Sequence, residues 1–294
     1  MPFRAIELFS GLGGWRYAMA ERGVVAAAYD ISPAANAVYA LNHGDAPIAR
    51  ELAVISPEAL AAHGADIWLL SPPCQPFCRM GNKRDVEDPR SRAFLNLVRI
   101  LDAAPPRRLA LENVEGFFGS GAHGLLMAAL RRQGFQALEL SLCPTQLGIP
   151  NLRPRVYLVA SRSGLRSLPL PEAPPGRVGD YLDEAEDESL YLGESQARHW
   201  QGLDLAREEA ARSACFIGGY GRRFVGSGSF LRTDRGVRRF SPWEIARLLG
   251  LPSSFRFPEA LSLEKRYKLL GNGLSIPAAR WALAHFGDDE GPSG

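Results

Sequence analysis

Residues 4–30 read "RAIELFSGLGGWRYAMAERGVVAAAYD", and this stretch decides the fold. An apolar run at 4–9 is followed by a glycine turn, by a helical segment that Gly23 closes, and by a second apolar run that ends in Asp30. A strand, a tight turn, a helix and a strand in this order are typical of a βαβ unit, in which the two strands run parallel. The sequence therefore predicts a parallel sheet that begins near the N-terminus.

The same alternation continues along the chain. Apolar runs at 65–71 and 107–114 predict two further strands, and each is followed by a helical segment. The runs at 135–143 and 154–161 follow each other with no helix between them, which favours an antiparallel edge. We therefore predict an α/β fold in which helices cover both faces of a largely parallel sheet. Ligands of such sheets bind beyond the carboxyl ends of the strands.

The regular pattern is lost in the proline-rich segment 165–179, and the region that follows has few recognisable elements. Helical order returns at Ser241 and Glu244, which have the spacing of a capping box. The sequence therefore predicts a main α/β domain, a small irregular lobe, and C-terminal helices that complete the main domain. These three parts are expected at 1–163, 164–236 and 237–294.

Composition places few limits on the class of protein. The 294 residues carry a formal net charge of +2, and 46% of them are hydrophobic, which is ordinary for a globular chain. No apolar run is long enough to span a membrane, and the first residues lack the form of a signal peptide, so we expect a soluble cytoplasmic protein. The segment 180–195 is acidic and the segment 221–240 is basic. This segregation indicates either a nucleic-acid-binding surface or two solvated faces.

The four cysteines, Cys74, Cys78, Cys143 and Cys215, form no C-x-x-C pair, and no histidine lies at zinc-finger spacing from them. We therefore expect reduced thiols and no metal site. Cys74 differs from the others because the segment "SPPCQPF" (71–77) holds it among prolines at the end of a predicted strand. Prolines fix the backbone, so the thiol is aimed in one direction, as a nucleophile requires. The alternative is an inert cysteine in a proline-rich turn.

The glycines at 11, 13 and 14 lie between the first strand and the first helix, where the backbone can approach a ligand closely. Asp30 ends the next strand, near the spacing at which an acidic side chain hydrogen-bonds ribose hydroxyls. Together they predict a site for an adenosine-containing cofactor, and a tight turn with a helix-capping acid is the alternative. The glycines do not form a regular G-x-G-x-x-G pattern, which argues against a nicotinamide dinucleotide.

Glu112 and Asn113 end the fourth predicted strand, at the same edge of the sheet as Cys74. A carboxyl group that emerges from an apolar strand often has a raised pKa and can donate a proton. Arg153 and Arg155 are two residues apart, so they share one face of a strand and can hold carbonyl or phosphate oxygens. Structural ion pairs and surface charge are the alternatives. One reaction needs this combination: a thiolate that adds to C6 of cytosine activates C5 for methylation, while a carboxyl group and a guanidinium stabilise the developing charge.

In order and spacing, these motifs resemble the cytosine C5-methyltransferases. The resemblance covers nearly the whole chain and rests on "FSGLGG", "SPPCQPF", "ENV", the paired arginines and "LLGNGLSIP". The chain is most similar to the branch of tRNA-aspartate cytosine methyltransferases, through "PTQLGIPNLRPR" (144–155) and "CFIGGYG" (215–221). Ile217 and Cys78 stand where this branch usually has Thr. The resemblance implies a Rossmann-like S-adenosylmethionine-dependent methyltransferase sheet with a small target-recognition lobe.

The resemblance also implies roles for individual residues. Cys74 would be the nucleophile, Glu112 would contact N3 of the base, and Arg153 and Arg155 would hold the base and a nearby phosphate. The S-adenosylmethionine site would be formed by Phe9, Ser10, Gly11, Leu12, Gly13, Gly14, Asp30, Ile31, Asp66, Pro73 and Asn272. Substrate binding would involve Gln75, Arg79, Lys83, Arg84, Asn113, Cys215, Tyr220, Arg222 and Arg223. Asn113 would also order the turn that follows its strand.

On this basis we expect an S-adenosylmethionine-dependent tRNA cytosine C5-methyltransferase that works as a monomer. Its target would be an anticodon-loop cytosine, position thirty-eight of an aspartate-type tRNA, methylated through a covalent adduct between Cys74 and C6. Three alternatives stay open. They are a DNA cytosine-5 methyltransferase of the restriction–modification type, a non-catalytic nucleic-acid-binding module, and a nicotinamide-dependent oxidoreductase, which leaves "SPPCQPF" unexplained.

Overall fold

The computed structural model describes residues 2–75, 85–185, 187–193, 196 and 201–287. Its eleven described strands are β1 (Phe3–Leu8), β2 (Gly23–Tyr29), β3 (Ile67–Leu70), β4 (Arg108–Asn113), β5 (Gln136–Leu142), β6 (Asn151–Leu152), β7 (Arg155–Ser161), β8 (Asp204–Ala206), β9 (Ser213–Ala214), β10 (Ser229–Thr233) and β11 (Gly236–Arg239). The α-helices in the same ranges are α1 (Gly14–Met19), α2 (Pro33–His43), α3 (Pro57–Ala61), α4 (Arg92–Ile100), α5 (Gly121–Arg132), α6 (Pro242–Leu248), α7 (Leu263–Asn272) and α8 (Ile276–Leu283).

A six-stranded sheet forms the centre of the molecule, with strand order β2-β1-β3-β4-β7-β5. The strands β2, β1, β3 and β4 are parallel, whereas β7 is antiparallel to both of its neighbours. This arrangement confirms the predicted α/β fold with its largely parallel sheet. The four parallel strands end at the same edge, so the segments that follow them are brought together there.

The predicted antiparallel edge is confirmed, since β5 and β7 pair antiparallel at one edge of the sheet. The order of these two strands was not evident from the sequence. The antiparallel strand β7 lies inside the sheet, and β5 at the edge runs in the direction of the four parallel strands. Burial explains this order, because nearly every residue of β7 is buried while β5 alternates between exposed and covered side chains. An apolar strand is stabilised more by two neighbouring strands than by one, and a strand that has both exposed and covered side chains suits an edge.

The boundaries of the first βαβ unit also differ from those expected. The strand ends at Leu8, and Phe9 leaves it with a φ of 59°. The helix α1 ends at Met19, and Gly23 is the first residue of β2 rather than the end of the helix. A Cβ at Gly23 would lie 2.0 Å from the carbonyl oxygen of Phe3, so the residue is glycine because two strand backbones meet closely.

Serine side chains start several of the helices. The hydroxyl oxygens of Ser32, Ser56 and Ser120 each accept the N–H of the residue three positions later, at the N-termini of α2, α3 and α5. The predicted capping box of Ser241 and Glu244 is present at the start of α6. These caps fix where each helix begins and therefore how the preceding loop leaves the sheet edge.

The strands β8, β9 and β10 of the small lobe form two short sheets with strands from outside it, in the orders β11-β10-β8 and β6-β9. Its aromatic residues, among them Phe216, Tyr220 and Phe230, belong to the same buried apolar cluster as side chains of β1, β3, β4 and β7. The last helix, α8, packs against α1 and β7, and the Arg22 guanidinium donates to the carbonyl oxygens of Leu283 and Phe286 at 2.9 and 2.8 Å. Described residues from all three predicted parts therefore contribute to one buried apolar cluster.

None of the helices within the described residues is long and apolar enough to cross a membrane. Among the same residues, no group of three or more His, Cys, Asp or Glu side chains is placed to hold a metal ion.

Candidate active site

The carboxyl edge of the sheet brings together four segments that carry the predicted chemistry. The glycine turn follows β1, Asp30 follows β2, and Cys74 lies four residues beyond the end of β3. Glu112 is the second-last residue of β4, where the strand pairs with β7. Two side chains connect these segments. The Asn113 amide donates to the carbonyl oxygen of Pro72 at 3.2 Å, and the Trp15 indole donates to the Ser71 hydroxyl at 2.9 Å.

Asn113 has a structural role in this edge. It is 2% exposed, and its side-chain oxygen also accepts the N–H of Val114 at 2.8 Å. Both ends of its amide are therefore engaged by backbone groups of the two segments that present Cys74 and Glu112. This geometry agrees with the expectation that Asn113 orders its turn, whereas a direct contact with substrate is not available to a buried amide with both ends occupied.

The glycine turn has a backbone shaped for a ligand. Phe9, Gly11 and Gly13 all have positive φ values, of 59°, 53° and 78°. For Phe9 this conformation is strained, and such strain concentrates at functional sites. The Asp30 carboxylate accepts the N–H of Gly11 at 2.9 Å and the N–H of Ser32 at 2.8 Å, so it fixes the turn to the start of α2.

Three further observations at and beside the turn indicate room for a ligand with polar and apolar parts. The Ser10 hydroxyl is buried and has no hydrogen-bond partner among the described residues. A Cβ at Gly11 would meet no atom within 4 Å, so the turn is open at this position. Ile31, beside Asp30, is 62% exposed, which leaves an apolar side chain uncovered at the sheet edge. Pro73 and Leu12 adjoin this region, Pro73 in the Cys74 segment and Leu12 within the turn.

Behind the turn lies a carboxyl group that the sequence reasoning missed. Glu7 in β1 is fully buried, and it accepts the N–H of Trp15 at 3.0 Å and the hydroxyl of Tyr39 at 3.2 Å. Burial raises the pKa of Glu7 to about 8, although these hydrogen bonds act in the opposite direction. The signal was present in the sequence, because a Glu inside the apolar run "RAIELF" needs a partner.

Glu112 is 8% exposed, and Arg155 lies beside it with its Nε 3.2 Å from the carboxylate Oε1. Burial raises the pKa of Glu112, and the positive charges of Arg155 and Arg153 offset this only in part. The side chain therefore keeps its proton to a higher pH than an ordinary glutamate. This is the property predicted for a group that donates to a ring nitrogen.

Arg153 is placed differently from the prediction. It is 3% exposed, and its guanidinium donates to Cys215 Sγ at 3.2 Å and to the carbonyl oxygens of Phe216, Gly271 and Gly273. Because it has four acceptors in the protein, this guanidinium links the lobe to the C-terminal end of α7. The structure therefore gives Arg153 a positioning role in place of the predicted contact with the base, and it leaves Arg155 as the arginine beside Glu112.

Asp66 and Tyr220 do not lie at the predicted site. Asp66 precedes β3, at the amino end of the strand, where its carboxylate accepts the N–H of Arg4 at 3.2 Å. The four residues of β3 place it about 13 Å from the ligand edge, so it cannot border the adenine there. Tyr220 is fully buried in the lobe, where its hydroxyl donates to the carbonyl oxygen of Ser229 and accepts the N–H of Phe240. It supports the lobe and does not face substrate.

The other predicted residues are accessible or lie outside the described ranges. Gln75, Asn272, Arg222 and Arg223 are exposed, and Arg222 forms an ion pair with Glu264 at 3.2 Å. Asn272 ends α7, and its side-chain oxygen lies close to Gly218 of the lobe. A Cβ added at Gly218 would be 3.3 Å from that oxygen. Cys78, Arg79, Lys83 and Arg84 fall within 76–84, outside the described residues.

The fold and this edge define a Rossmann-like methyltransferase, with a ligand turn after β1 and a cysteine, a glutamate and an arginine grouped beside it. The chain belongs to the C-5 cytosine-specific DNA methylase family, whose family profile matches residues 3–201 and 193–285. This confirms the family expected from the motifs. The chain is therefore a cytosine C5-methyltransferase.

Individual relatives cover nearly the full chain. It is 32% identical to the tRNA (cytosine(38)-C(5))-methyltransferase of Schizosaccharomyces pombe, over 96% of each chain. It is 31% identical to the human protein of the same name, over 94% of this chain and 96% of the relative. The crystal structure of the S. pombe Dnmt2 methyltransferase superposes with a TM-score of 0.86 at 29% identity, covering 97% of this chain and 98% of that one.

Proposed function

We propose that this enzyme methylates C5 of an anticodon-loop cytosine in tRNA, at position thirty-eight of an aspartate-type tRNA, through a covalent adduct on Cys74. The observation that carries the proposal is the grouping of the Cys74 segment with the buried pair Glu112 and Arg155 at one sheet edge. The similarity to tRNA (cytosine(38)-C(5))-methyltransferases over nearly the whole chain supports the substrate.

The residues of the glycine turn fit S-adenosylmethionine, which members of this family use as methyl donor. The unpartnered Ser10 hydroxyl, the open backbone at Gly11 and the exposed Ile31 suit the polar and apolar parts of an adenosine-containing molecule. Asp30 lies at the end of β2, where it can accept from ribose hydroxyls in addition to its two backbone donors. When bound, this donor supplies an electrophilic methyl group on a sulfonium sulfur.

The chain's own residues then perform the addition and the elimination. The thiolate of Cys74 forms a bond to C6 of the flipped cytosine, and the electron pair of the C5–C6 double bond moves into the ring. Glu112 donates its proton toward N3, and Arg155 stabilises the charge on O2, so C5 becomes nucleophilic enough to accept the methyl group. Loss of the C5 proton to solvent then re-forms the C5–C6 double bond and expels the thiolate, and the N3 proton returns to Glu112, so both Cys74 and Glu112 are restored.

The tRNA substrate is favoured over duplex DNA by the cost of exposing the base. A loop cytosine is less stacked than a paired one, so it can be flipped with less unstacking energy. The lobe also presents the exposed arginines Arg222 and Arg223, which suit phosphate contacts. DNA remains the second candidate substrate, since the matching family is named for DNA methylation.

The test offers methyl-labelled S-adenosylmethionine, total tRNA and genomic DNA to the wild-type enzyme and to Cys74→Ala, and maps the labelled base. We expect label at an anticodon-loop cytosine, lost in Cys74→Ala while folding and donor binding persist. The control is Cys143→Ala, since the Cys143 thiol lies 3.7 Å from the carbonyl oxygen of Asn151 and has no assigned role in the reaction. Label on DNA alone would overturn the tRNA assignment, and full activity of Cys74→Ala would overturn the covalent mechanism.

A further inference from the structure

A continuous line of polar contacts runs from Glu112 into the lobe. Glu112 Oε1 is 3.2 Å from Arg155 Nε, Arg155 Nη2 is 3.8 Å from Cys215 Sγ, and Cys215 Sγ is 3.2 Å from Arg153 Nη1. Cys215 therefore lies between the two guanidinium groups. No step of the proposed reaction uses this thiol.

The charges along this line do not balance when Glu112 is protonated. Arg153 and Arg155 are positive at every pH at which the protein is folded. In the proposed reaction Glu112 must carry its proton before it meets N3, so at that stage it offers the arginines no negative charge. Two largely buried cations without an anion are costly, because burial removes the water that would solvate them.

The neighbouring groups leave one candidate for the anion among the described residues. Tyr157 faces Glu112 across the β4–β7 pairing, and burial raises the pKa of its hydroxyl, so it stays neutral. Cys143 lies near Tyr157, and its thiol contacts the carbonyl oxygen of Asn151. Cys215 also contacts a backbone carbonyl, that of Phe216 at 3.6 Å, but in addition it accepts from both guanidiniums. The other acceptors of Arg153 are neutral backbone carbonyls. Cys215 is the group that contacts both guanidiniums and can ionise.

We propose that Cys215 is the anionic partner of Arg153 and Arg155, and that its thiolate allows Glu112 to hold the proton that the reaction requires. The assignment rests on the proposed function for its role in the reaction and makes Cys215 a positioning residue rather than a nucleophile. It also gives the "CFIGGYG" segment of the lobe a chemical link to the sheet edge.

The electrostatic environment of the thiol supports this assignment. Burial alone would raise the pKa of Cys215, but the adjacent Arg153 and Arg155 guanidiniums together bring it below the ordinary thiol value. Burial alone would lower the pKa of Arg155, and Cys215 and then Glu112 hold it above its ordinary value. The thiol and the carboxyl group thus compete as partners of the same cation.

Three variants separate charge from shape. Cys215→Ser keeps a small polar atom at the γ position but is neutral, and Cys215→Asp restores an anion. Cys143→Ser is the matched control, because it makes the same change at a cysteine directed to a backbone carbonyl. Without the thiolate, Glu112 becomes the remaining anion for Arg155, so its pKa falls by about one unit in Cys215→Ser.

Two readouts require no substrate. NMR titration of isotope-labelled glutamate carboxyl groups, with Glu112→Gln to assign the signal, gives the midpoint of Glu112 in each variant. The thiolate absorbance of the wild type minus that of Cys215→Ser gives the ionisation of Cys215. We expect a lower Glu112 midpoint in Cys215→Ser, recovery in Cys215→Asp, no change in Cys143→Ser, and a thiolate step below the ordinary thiol range. An unchanged Glu112 midpoint in Cys215→Ser, or no such step, would overturn the proposal.

The pH dependence of methyl transfer then tests the role in the reaction. The rate in Cys215→Ser should decline at a pH about one unit lower than in the wild type, since the protonated form of Glu112 is lost earlier. A purely structural role would lower the rate equally at every pH, and that result would also count against the proposal. A wild-type enzyme inactive on every nucleic acid would refute the proposed function, while the two titrations would still decide the charge assignment.

Discussion

Glu112 and Glu7 are buried carboxyl groups near the carboxyl ends of β4 and β1, which β3 separates, and their partners differ. Glu112 lies beside Arg155, whereas Glu7 accepts from a backbone N–H and a tyrosine hydroxyl. Burial raises the pKa of both. Glu112 therefore supplies a proton in the proposed reaction, whereas Glu7 holds the residues behind the ligand turn by accepting hydrogen bonds.

Replacing Glu112 by Gln should slow methyl transfer while the protein stays folded. An amide can still donate a hydrogen bond to N3 but cannot deliver a proton, and loss of such a group typically slows a reaction by about 10²–10⁴-fold. Single-turnover rates with saturating tRNA measure the effect. Glu115→Gln, an exposed glutamate three residues later, is the control and should react at the wild-type rate. Equal rates for the two variants would remove Glu112 from the reaction.

Replacing Glu7 by Gln should change how stability depends on pH. The folded-state pKa of about 8 exceeds the ordinary carboxyl value of 4.5, so the native protein holds this proton after the unfolded chain has lost it. The resulting stabilisation is complete below the unfolded pKa and is lost as pH rises through the folded pKa. The wild type should therefore lose stability relative to Glu7→Gln, by up to about 1.4 kcal/mol per pH unit within this window.

Chemical denaturation at a series of pH values measures this difference, because Gln has no proton to lose. The two free energies of unfolding should diverge as pH rises between the two pKa values and run parallel above the higher one. Parallel curves throughout would mean that Glu7 is ionised in the folded protein.

At the scale of elements, the glycine turn is defined by what lies under it. A Cβ at Gly13 would come 2.3 Å from His43 Nε2, at a φ of 78°. His43 cannot move aside easily, because its ring packs between Tyr17 and Tyr39 with centroid distances of 4.6 and 4.5 Å. His43 of α2 therefore packs against the turn at Gly13, and the Asp30 carboxylate holds it by accepting the N–H of Gly11.

Gly13→Ala should destabilise the protein more than Gly44→Ala, which is the matched control. Both positions have positive φ, so each alanine costs about 1 kcal/mol of backbone strain, but the Cβ at Gly44 would meet no atom within 4 Å. Displacing His43 should add about 1–3 kcal/mol in Gly13→Ala alone. Thermal unfolding and donor binding by calorimetry measure the two effects, and only Gly13→Ala should lose donor binding. Similar losses of stability in both variants would show that the His43 side chain can move aside with no loss of folding free energy.

The comparison of sequence and structure is also clearest among the elements. The strand and helix order, the serine caps and the sheet edge were predictable, because each depends on periodicity or on a neighbouring residue. The position of β7 was not, since the choice between an edge and an internal strand depends on burial against both neighbours. Asp66 and Arg153 were misplaced for a different reason. A motif gives the order of residues along the chain. It does not say at which end of a strand a side chain lies, as for Asp66, or which acceptors it contacts, as for Arg153.

Across the whole molecule, a buried ion pair joins β11 to α6, and its carboxylate also binds a backbone N–H of the lobe. Arg238 in β11 donates to both carboxylate oxygens of Glu244 in α6, at 2.9 and 2.7 Å, and both side chains are almost fully buried. Glu244 also accepts the N–H groups of Ser241 and Asp183. One carboxylate thus connects three segments, and its removal would take away the carboxylate that pairs with the buried Arg238 guanidinium.

Glu244→Gln should therefore lower the free energy of unfolding by about 3–5 kcal/mol. The control is Glu188→Gln, which breaks an ion pair with Arg235 in which both side chains are more than half exposed. Exposed pairs contribute about 0–1 kcal/mol, so this variant should remain near wild type. Urea denaturation measures both. A small effect at Glu244 would mean that water or another group compensates Arg238 when the carboxylate is removed.

The contact between Leu274 and Gly14 has a consequence for synthesis on the ribosome. A Cβ at Gly14 would lie 2.7 Å from Leu274 Cγ, and Arg22 holds the carbonyl groups at the end of α8. Leu274 lies far along the sequence from Gly14, although other side chains against the turn, such as His43, are near it in sequence. Contacts this distant in sequence form late, so the nascent chain completes the packing around Gly14 only after Leu274 has emerged from the exit tunnel.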